Sequence, residues 1–292
     1  MNIASNSKTA QEQHPKKPPG ILRRLPSSTV GMVGLGLILF WVVMALIVPF
    51  LPIPSYSAMD VDAIHNPYPE WGGHLLGTDR QGRDILARLL WGGQTVLLVA
   101  PFATLCAYVI GMPLGLAAGY YGGKVDMILS RLADIILSFP ILVLYVLLVT
   151  ILGASIINIV IAVVLASCPA ISRIVRGLTL EQRTHDYVAA ASLRRENAMY
   201  IMFIEILPNC RGPLITDFCL RVGYTIITIG VLGFLGLGLP PPTPDWGGMV
   251  KDATTLISTY PHMALIPSFA ITSLVLGFNM LADGIRELSL KD

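Results

Sequence analysis

Residues 30–51 run for 22 positions without a charge, and nothing else in the chain narrows its possible folds as much. As an α-helix this run rises about 33 Å, against a hydrocarbon core of about 30 Å. In lipid each backbone N–H and C=O must be paired within its own segment, so a lone spanning run has to be helical. The run is too long for a signal-peptide core, and Pro49, Pro52 and Pro54 stand where a small-residue cleavage site would be. It is expected to be a retained anchor. Composition points the same way: 54% of residues are hydrophobic and 13% charged, where soluble domains carry about 25% charge. An ordinary soluble enzyme is excluded.

Five further apolar runs, near residues 94–119, 135–152, 156–171, 222–239 and 263–282, bring the expected number of spans to six. The second carries Gly111, Gly115 and Gly119 on one face, a spacing that lets helices approach closely where packing drives association. Gly230, Gly233, Gly236 and Gly238 in the fifth suit either helices that slide past each other or simple close packing. The expected organisation is a tail over 1–29, a first span over 30–51, an outer loop over 52–93, a core over 94–282 and a tail over 283–292. The core contains an inner loop over 172–212. With the N-terminus inside, 16 of the 20 Lys and Arg fall on or beside the inner side, leaving Arg80, Arg83, Arg88 and Lys251 outside. The positive-inside rule then places both termini in the cytoplasm.

The chemistry of an autonomous machine is missing. The nearest approach to a phosphate loop, Gly122-Gly123-Lys124-Val125, has Ala118 at the first glycine position and lacks the hydroxyl for magnesium. The five histidines, His14, His65, His74, His185 and His262, are scattered, and no His-Glu-x-x-His occurs. Cys106, Cys168, Cys210 and Cys219 have no CxxC spacing and read as packing residues. Catalytic residues, metal and bound cofactor are therefore all expected to be absent. Nearly balanced charge gives no field for nucleic acid. Asp217, Arg221 and Asp283 lie near inner helix ends, with Asp217 and Arg221 spaced i, i+4 to pair, so no intramembrane carboxylate marks an ion path. A carrier or channel acting alone, and a membrane enzyme, are the competing readings.

The inner loop holds Thr184 or Asp186 as a cap for a short helix over Tyr187, Val188, Ala189, Ala190, Ala191, Ser192 and Leu193. A second amphipathic stretch with Met199, Met202, Phe203 and Ile206 should end at Pro208. Two short helices with alanines at the tip make either a compact knob for a cytoplasmic partner or a surface helix pair that stabilises the bundle. Cys210, in the same loop, is expected to report topology by reacting with an impermeant thiol reagent from the cytoplasmic side alone.

Four dispersed motifs carry a resemblance over nearly the whole chain. They are His74-Leu75-Leu76-Gly77-Thr78-Asp79-Arg80-Gln81-Gly82-Arg83-Asp84, Arg131-x-x-Asp134 with Ser138-Phe139-Pro140, Gly236 through Pro244-Asp245-Trp246-Gly247, and Phe278 through Asp283-Gly284. The chain resembles a permease subunit of a binding-protein-dependent ABC importer of the oligopeptide, dipeptide and nickel class, second-permease type. The resemblance implies an all-α type I importer permease fold with six transmembrane helices in the bacterial inner membrane. It also implies a second homologous permease, two ATP-binding subunits that hydrolyse ATP, and a periplasmic or lipid-anchored solute-binding protein. The family's coupling pattern, Glu-Ala-Ala-x3-Gly-x9-Ile-x-Leu-Pro, aligns with Ala190, Ala191, Leu207 and Pro208 here. Ala189 replaces the glutamate, Arg195 the glycine and Glu205 the isoleucine. Docking on the ATPase is expected through Tyr187 to Arg194. The 75–84 segment and the 240–246 turn are expected either to face the binding protein or, through pairing among Asp79, Arg80, Arg83 and Asp84, to fix the loop. The resemblance makes a peptide-like solute the leading expectation, with nickel, opines and oligosaccharide-like solutes as the alternatives.

Overall fold

A computed structural model of the protein describes residues 28–64, 67–70 and 73–289. The basic tail through residue 27, His65, and the last three residues including Lys291 lie outside them. Among the described residues the chain is helical, and extended backbone pairs only at two isolated bridges, Met59 with Arg83 and Thr78 with Asp84. Helix α1 is Thr29–Ile47, closed by a 3-10 turn over Val48–Phe50. Then follow α2 (Ile85–Tyr121), α3 (Gly123–Leu137), α4 (Ile141–Leu152), α5 (Ile156–Gln182), α6 (Asp186–Leu193), α7 (Ala198–Asn209), α8 (Arg211–Phe234), α9 (Trp246–Ala253) and α10 (His262–Ser289). Five of these, α1, α2, α5, α8 and α10, are each long and apolar enough to cross a membrane.

The third expected span is not one helix. It divides into α3 and α4, which meet at 83°, because Pro140 cannot donate to the ladder and restricts Phe139 before it. With 12 residues, α4 rises only about 18 Å. Counting the bent pair as one span gives six. The other boundaries move as well. Helix α2 starts at Ile85, capped by Asp84, whose carboxylate accepts from Ala87 N–H at 2.7 Å, so the outer loop closes before residue 93. Its 37 residues rise about 55 Å, well beyond the hydrocarbon. Helix α5 continues to Gln182 and α8 begins at Arg211, so the inner loop narrows to α6 and α7. Helix α8 also stops at Phe234, short of the expected residue 239, and α10 continues through the expected C-terminal boundary to Ser289.

Helices α2 and α5 form the most extensive pair. A Cβ on Gly111, Gly115 or Gly119 would lie 2.9 Å from Cys168 O, 2.5 Å from Ser172 O or 2.6 Å from Thr179 Cβ. The ladder read from sequence thus sets the approach of these two helices, whose residue numbers climb together because they run parallel. Helix α1 lies antiparallel on α10 through a second glycine contact absent from the sequence reading: Cβ atoms on Gly34 and Gly284 would meet Gly277 O at 2.6 Å and Gly31 Cα at 2.4 Å. Trp41 Nε1–H donates to Ser273 Oγ at 2.9 Å across the same pair, and Ser28 Oγ–H donates to Glu287 at 3.2 Å. These contacts put the N-terminal end of α1 beside the C-terminal end of α10. The α6–α7 knob occupies that end too, and the loops over 51–84 and 235–261 share the opposite one.

Candidate functional site

Both ends of the bundle carry motif residues, and each end is assembled from its own short-range chemistry. At the loop end, Gly77 and Gly82 adopt φ of +79° and +73°, where a Cβ would lie 2.4 Å from Pro67 O and 2.1 Å from Asp60 O. Only glycine fits either place. The turn they make brings Asp79 under two arginines: Arg83 Nε–H donates to Asp79 Oδ2 at 2.7 Å, and Arg88 Nε lies 3.6 Å from the same oxygen. Asp252 pairs with Arg83 at 3.5 Å and Arg80 at 3.7 Å, tying the loop to α9. His74 bridges Asp84 at 2.7 Å and Asp60 at 3.3 Å. Burial opposes its charge, but the two carboxylates outweigh that and hold the imidazole above its ordinary value.

Gly77, Thr78, Gly82, Arg83 and Asp84 are all buried. The pairing within the loop is therefore what they build, and little of the motif is presented to a partner. Pro244, Asp245 and Trp246 are buried too. Trp246, at the start of α9, fills its junction with α1 and α2. Its ring lies over Gly92 and Gly93, where Cβ atoms would come to 2.8 and 3.0 Å, and it meets Trp41 edge-on at 5.0 Å. Its Nε1–H donates to Leu89 O at 2.8 Å. Asp245 caps α9 by accepting from Gly247 and Gly248 N–H, and its carboxylate sits between Gly233 and Gly238, 2.1 Å from a Cβ on either. Those glycines, and Gly230 whose carbonyl Gly247 touches, seat a turn that folds back onto α8. Close packing, one of the two readings the sequence left open for them, is what they provide. Burial pushes the Asp245 carboxyl up to about 6, against the two N–H donors and Arg88.

At the other end, α6 and α7 form the knob. His185 is the N-cap of α6 and offers no side-chain cap; Asp186 is inside the first turn, while Thr184 Oγ–H donates back to Glu181 O. Neither expected cap is used. Val188 and Ala191 are buried against Ile201, Met202 and Ile206 of α7, whereas Ala189, Ala190, Ser192, Leu193, Arg194 and Arg195 are exposed, Leu193 to 86%. Tyr187 O–H donates to Gln182 Oε1 at 2.8 Å. Leu207 is half-buried and Pro208 exposed. Helix α7 does not end at Pro208 but runs one residue further, with a π-helical turn over Ile201–Ile206 before it. A π turn re-registers the ladder where proline supplies no N–H. Arg195, in place of a turn glycine, takes φ 59°, and Arg194 pairs with Glu205 at 3.1 Å. Two of the three departures from the coupling pattern thus preserve the turn and stitch the two helices together.

Between the ends, Arg176 and Asp126 make a two-point ion pair joining α5 to α3, and Arg173 meets Asp134 at 2.5 Å. The expected Asp217–Arg221 pair closes at 2.6 Å, and Tyr108 O–H donates to Asp217. Cys210 is buried, and burial pushes its thiol up to about 11. It is therefore a poor thiol reporter, contrary to the sequence expectation.

The architecture is a polytopic helical bundle, with a turn folded back onto α8 at one end and a short-helix knob at the other. Residues 111–291 match the family described as binding-protein-dependent transport system inner membrane component, and the chain belongs to that family, as a permease of ABC importers of the bacterial inner membrane. It is 36% identical over 98% of its length, and 94% of the relative's, to the dipeptide transport system permease protein DppC of Alkalihalophilus pseudofirmus. It is 40% identical to the glutathione transport system permease protein GsiD of Pectobacterium atrosepticum, covering 81% of this chain and 78% of that one. A di/tripeptide transport system permease, DppC of Pseudomonas aeruginosa, is 38% identical over 87% and 85% of the two chains.

Proposed function

We propose that this chain is one of two homologous permeases that together pass a short peptide or peptide-like solute inward, driven by ATP hydrolysis on two separate ATPase subunits and fed by an external binding protein. The observation that carries the reading is the knob: Val188 and Ala191 lock α6 onto α7, so Ala189, Ala190 and Leu193 are held outward as a small apolar surface with no cover among the described residues. Such a rigid, exposed tip suits insertion into a partner's cleft, where a few buried anchors dominate affinity. The charge distribution supports an orientation with this end and both termini in the cytoplasm, where the ATPases are. Closure of the ATPases would draw the knobs together and bias the bundle between two arrangements, as differential binding requires. The printed names of the relatives support the solute class.

The test is reconstitution of the full complex in proteoliposomes with ATP inside. Uptake of a labelled dipeptide is expected with all partners present and none with this chain alone; flux through the chain alone would instead establish an autonomous carrier. Leu193→Asp and Ala190→Asp should abolish ATPase co-purification while leaving the permease folded. Ala191→Asp would not be informative, because Ala191 is fully buried against α7.

A further inference from the structure

At the loop end, a cavity of about 160 Å³ lies between the start of α2, the end of α8 and α9. Arg83, Arg88, Thr243, Asp245, Lys251 and Asp252 supply its polar walls, and Gly233, Gly236, Gly238 and Gly248 its close backbone. Arg88 is 5% exposed, and its Nε and Nη1 make no hydrogen bond. Its polar neighbour at ion-pair range is Asp79, 3.6 Å from Nε, and that carboxylate is already bonded to Arg83 at 2.7 Å. Unmade bonds on a buried guanidinium cost more than the loss of a typical hydrogen bond. Lys251 folds its ammonium over Gly236, 2.3 Å from where a Cβ would stand, and makes no ion pair among the described residues. Counting the cavity walls and their direct ion partners, Arg80, Arg83, Arg88 and Lys251 face Asp79, Asp245 and Asp252. One positive charge is left without a counterpart.

We propose that this cavity is a binding site for one small carboxylate anion, held by the guanidinium of Arg88, which lines its wall, and the ammonium of Lys251. A planar carboxylate matches the guanidinium fork and accepts two bonds from it. The volume, several times the roughly 30 Å³ share of a water molecule, accommodates the carboxylate and the first atoms of its bearer. Bound there, the anion would cross-link α2 to the turn between α8 and α9. A free monocarboxylate and the C-terminus of a short peptide share this chemistry.

The purified permease complex in nanodiscs, titrated with sodium acetate against sodium chloride at fixed ionic strength, tests it by thermal shift and calorimetry. Parallel titrations with Gly-Gly and with its C-terminal amide distinguish the two sources. Acetate is expected to raise the melting midpoint of wild type. Lys251→Gln, a change on an exposed side chain, should weaken acetate by about tenfold, as loss of one charge-assisted bond implies. Arg88→Gln should abolish binding, and if it fails to fold, Lys251→Gln carries the test. A response to Gly-Gly but not its amide assigns the site to peptide carboxylates; a response to acetate without Gly-Gly assigns it to free anions. No shift with either probe, or an equal acetate shift in Lys251→Gln, overturns the proposal and leaves a water-filled cavity.

Discussion

Gly115→Ala in α2 and Gly177→Ala in α5 add the same methyl group to the same helix pair, and they should move stability in opposite directions. A Cβ on Gly115 would lie 2.5 Å from Ser172 O, 2.6 Å from Val175 Cβ and 3.0 Å from Val175 Cγ1. Carbon contacts are optimal at about 3.5–4.0 Å, so α2 and α5 must separate by about 1 Å. The nearest obstacle is backbone and cannot rotate aside. Overpacking of this kind costs about 1–3 kcal/mol, and the upper end applies here. Alanine's better helix propensity returns about 1 kcal/mol, for a net loss of about 2 kcal/mol. At Gly177 nothing stands within 4 Å, so only the propensity term acts and the variant gains about 1 kcal/mol. For a chain of this length the Gly115 loss is a fall of about 4–8 °C in melting midpoint, measurable by thermal unfolding of the purified complex in one detergent. If Gly115→Ala melts at or above wild type, the close α2–α5 approach is not what holds the pair together.

Substitutions at three further positions probe the two ends. Burial raises the Asp245 carboxyl to about 6 in the folded protein, so its contribution to stability is full below about pH 4 and lost as pH rises towards 6. Asp245→Asn retains a good cap and should remove that slope, gaining up to about 3 kcal/mol at pH 7; a wild-type-like pH–stability profile between 4 and 6 would refute it. His74 acts in a separate window, because its raised value makes stability fall only as pH climbs past the ordinary imidazole range. Arg195→Gly relieves about 1 kcal/mol of left-handed strain and should leave dipeptide uptake intact. Arg195→Val should lower both stability and uptake, since a β-branched residue is a true outlier at φ 59°. Trp246→Phe should cost about 1 kcal/mol for the lost bond to Leu89 O, and Trp246→Ala about 3–5 kcal/mol, read from the same melting curves.

Much of the fold is visible in local pattern. The uncharged run in α1, the apolar stretches and the glycine spacing at 111, 115 and 119 all depend on residues close in sequence, and helices in lipid satisfy their backbones locally. The helix ends are less legible. Asp84 caps α2 nine residues before apolar periodicity is obvious, and α5 and α8 extend through polar turns that packing supports and composition does not. The knob was legible as two short helices, yet which side faces outward was not: Ala190 and Ala191 are adjacent and identical, and only contact with Ile201 and Met202 makes one a surface residue and the other a core residue.

By itself the sequence determined the solvent, the number of apolar runs and the family, because hydrophobic length, charge asymmetry and dispersed motifs are properties of the linear chain. The tertiary structure decided what the motif residues do. Asp245 and Trp246, candidates for a surface facing a partner, are instead buried joints of the loop end, since residues about 160 positions apart must meet to seat Trp246, whereas Asp79, Arg83 and Asp84 pair within their own loop, the alternative that the sequence left open. It also decided that Arg88, one of four outer cations in the sequence, is a buried wall of a cavity with two nitrogens unbonded: whether a charge is satisfied depends on which atoms surround it in space.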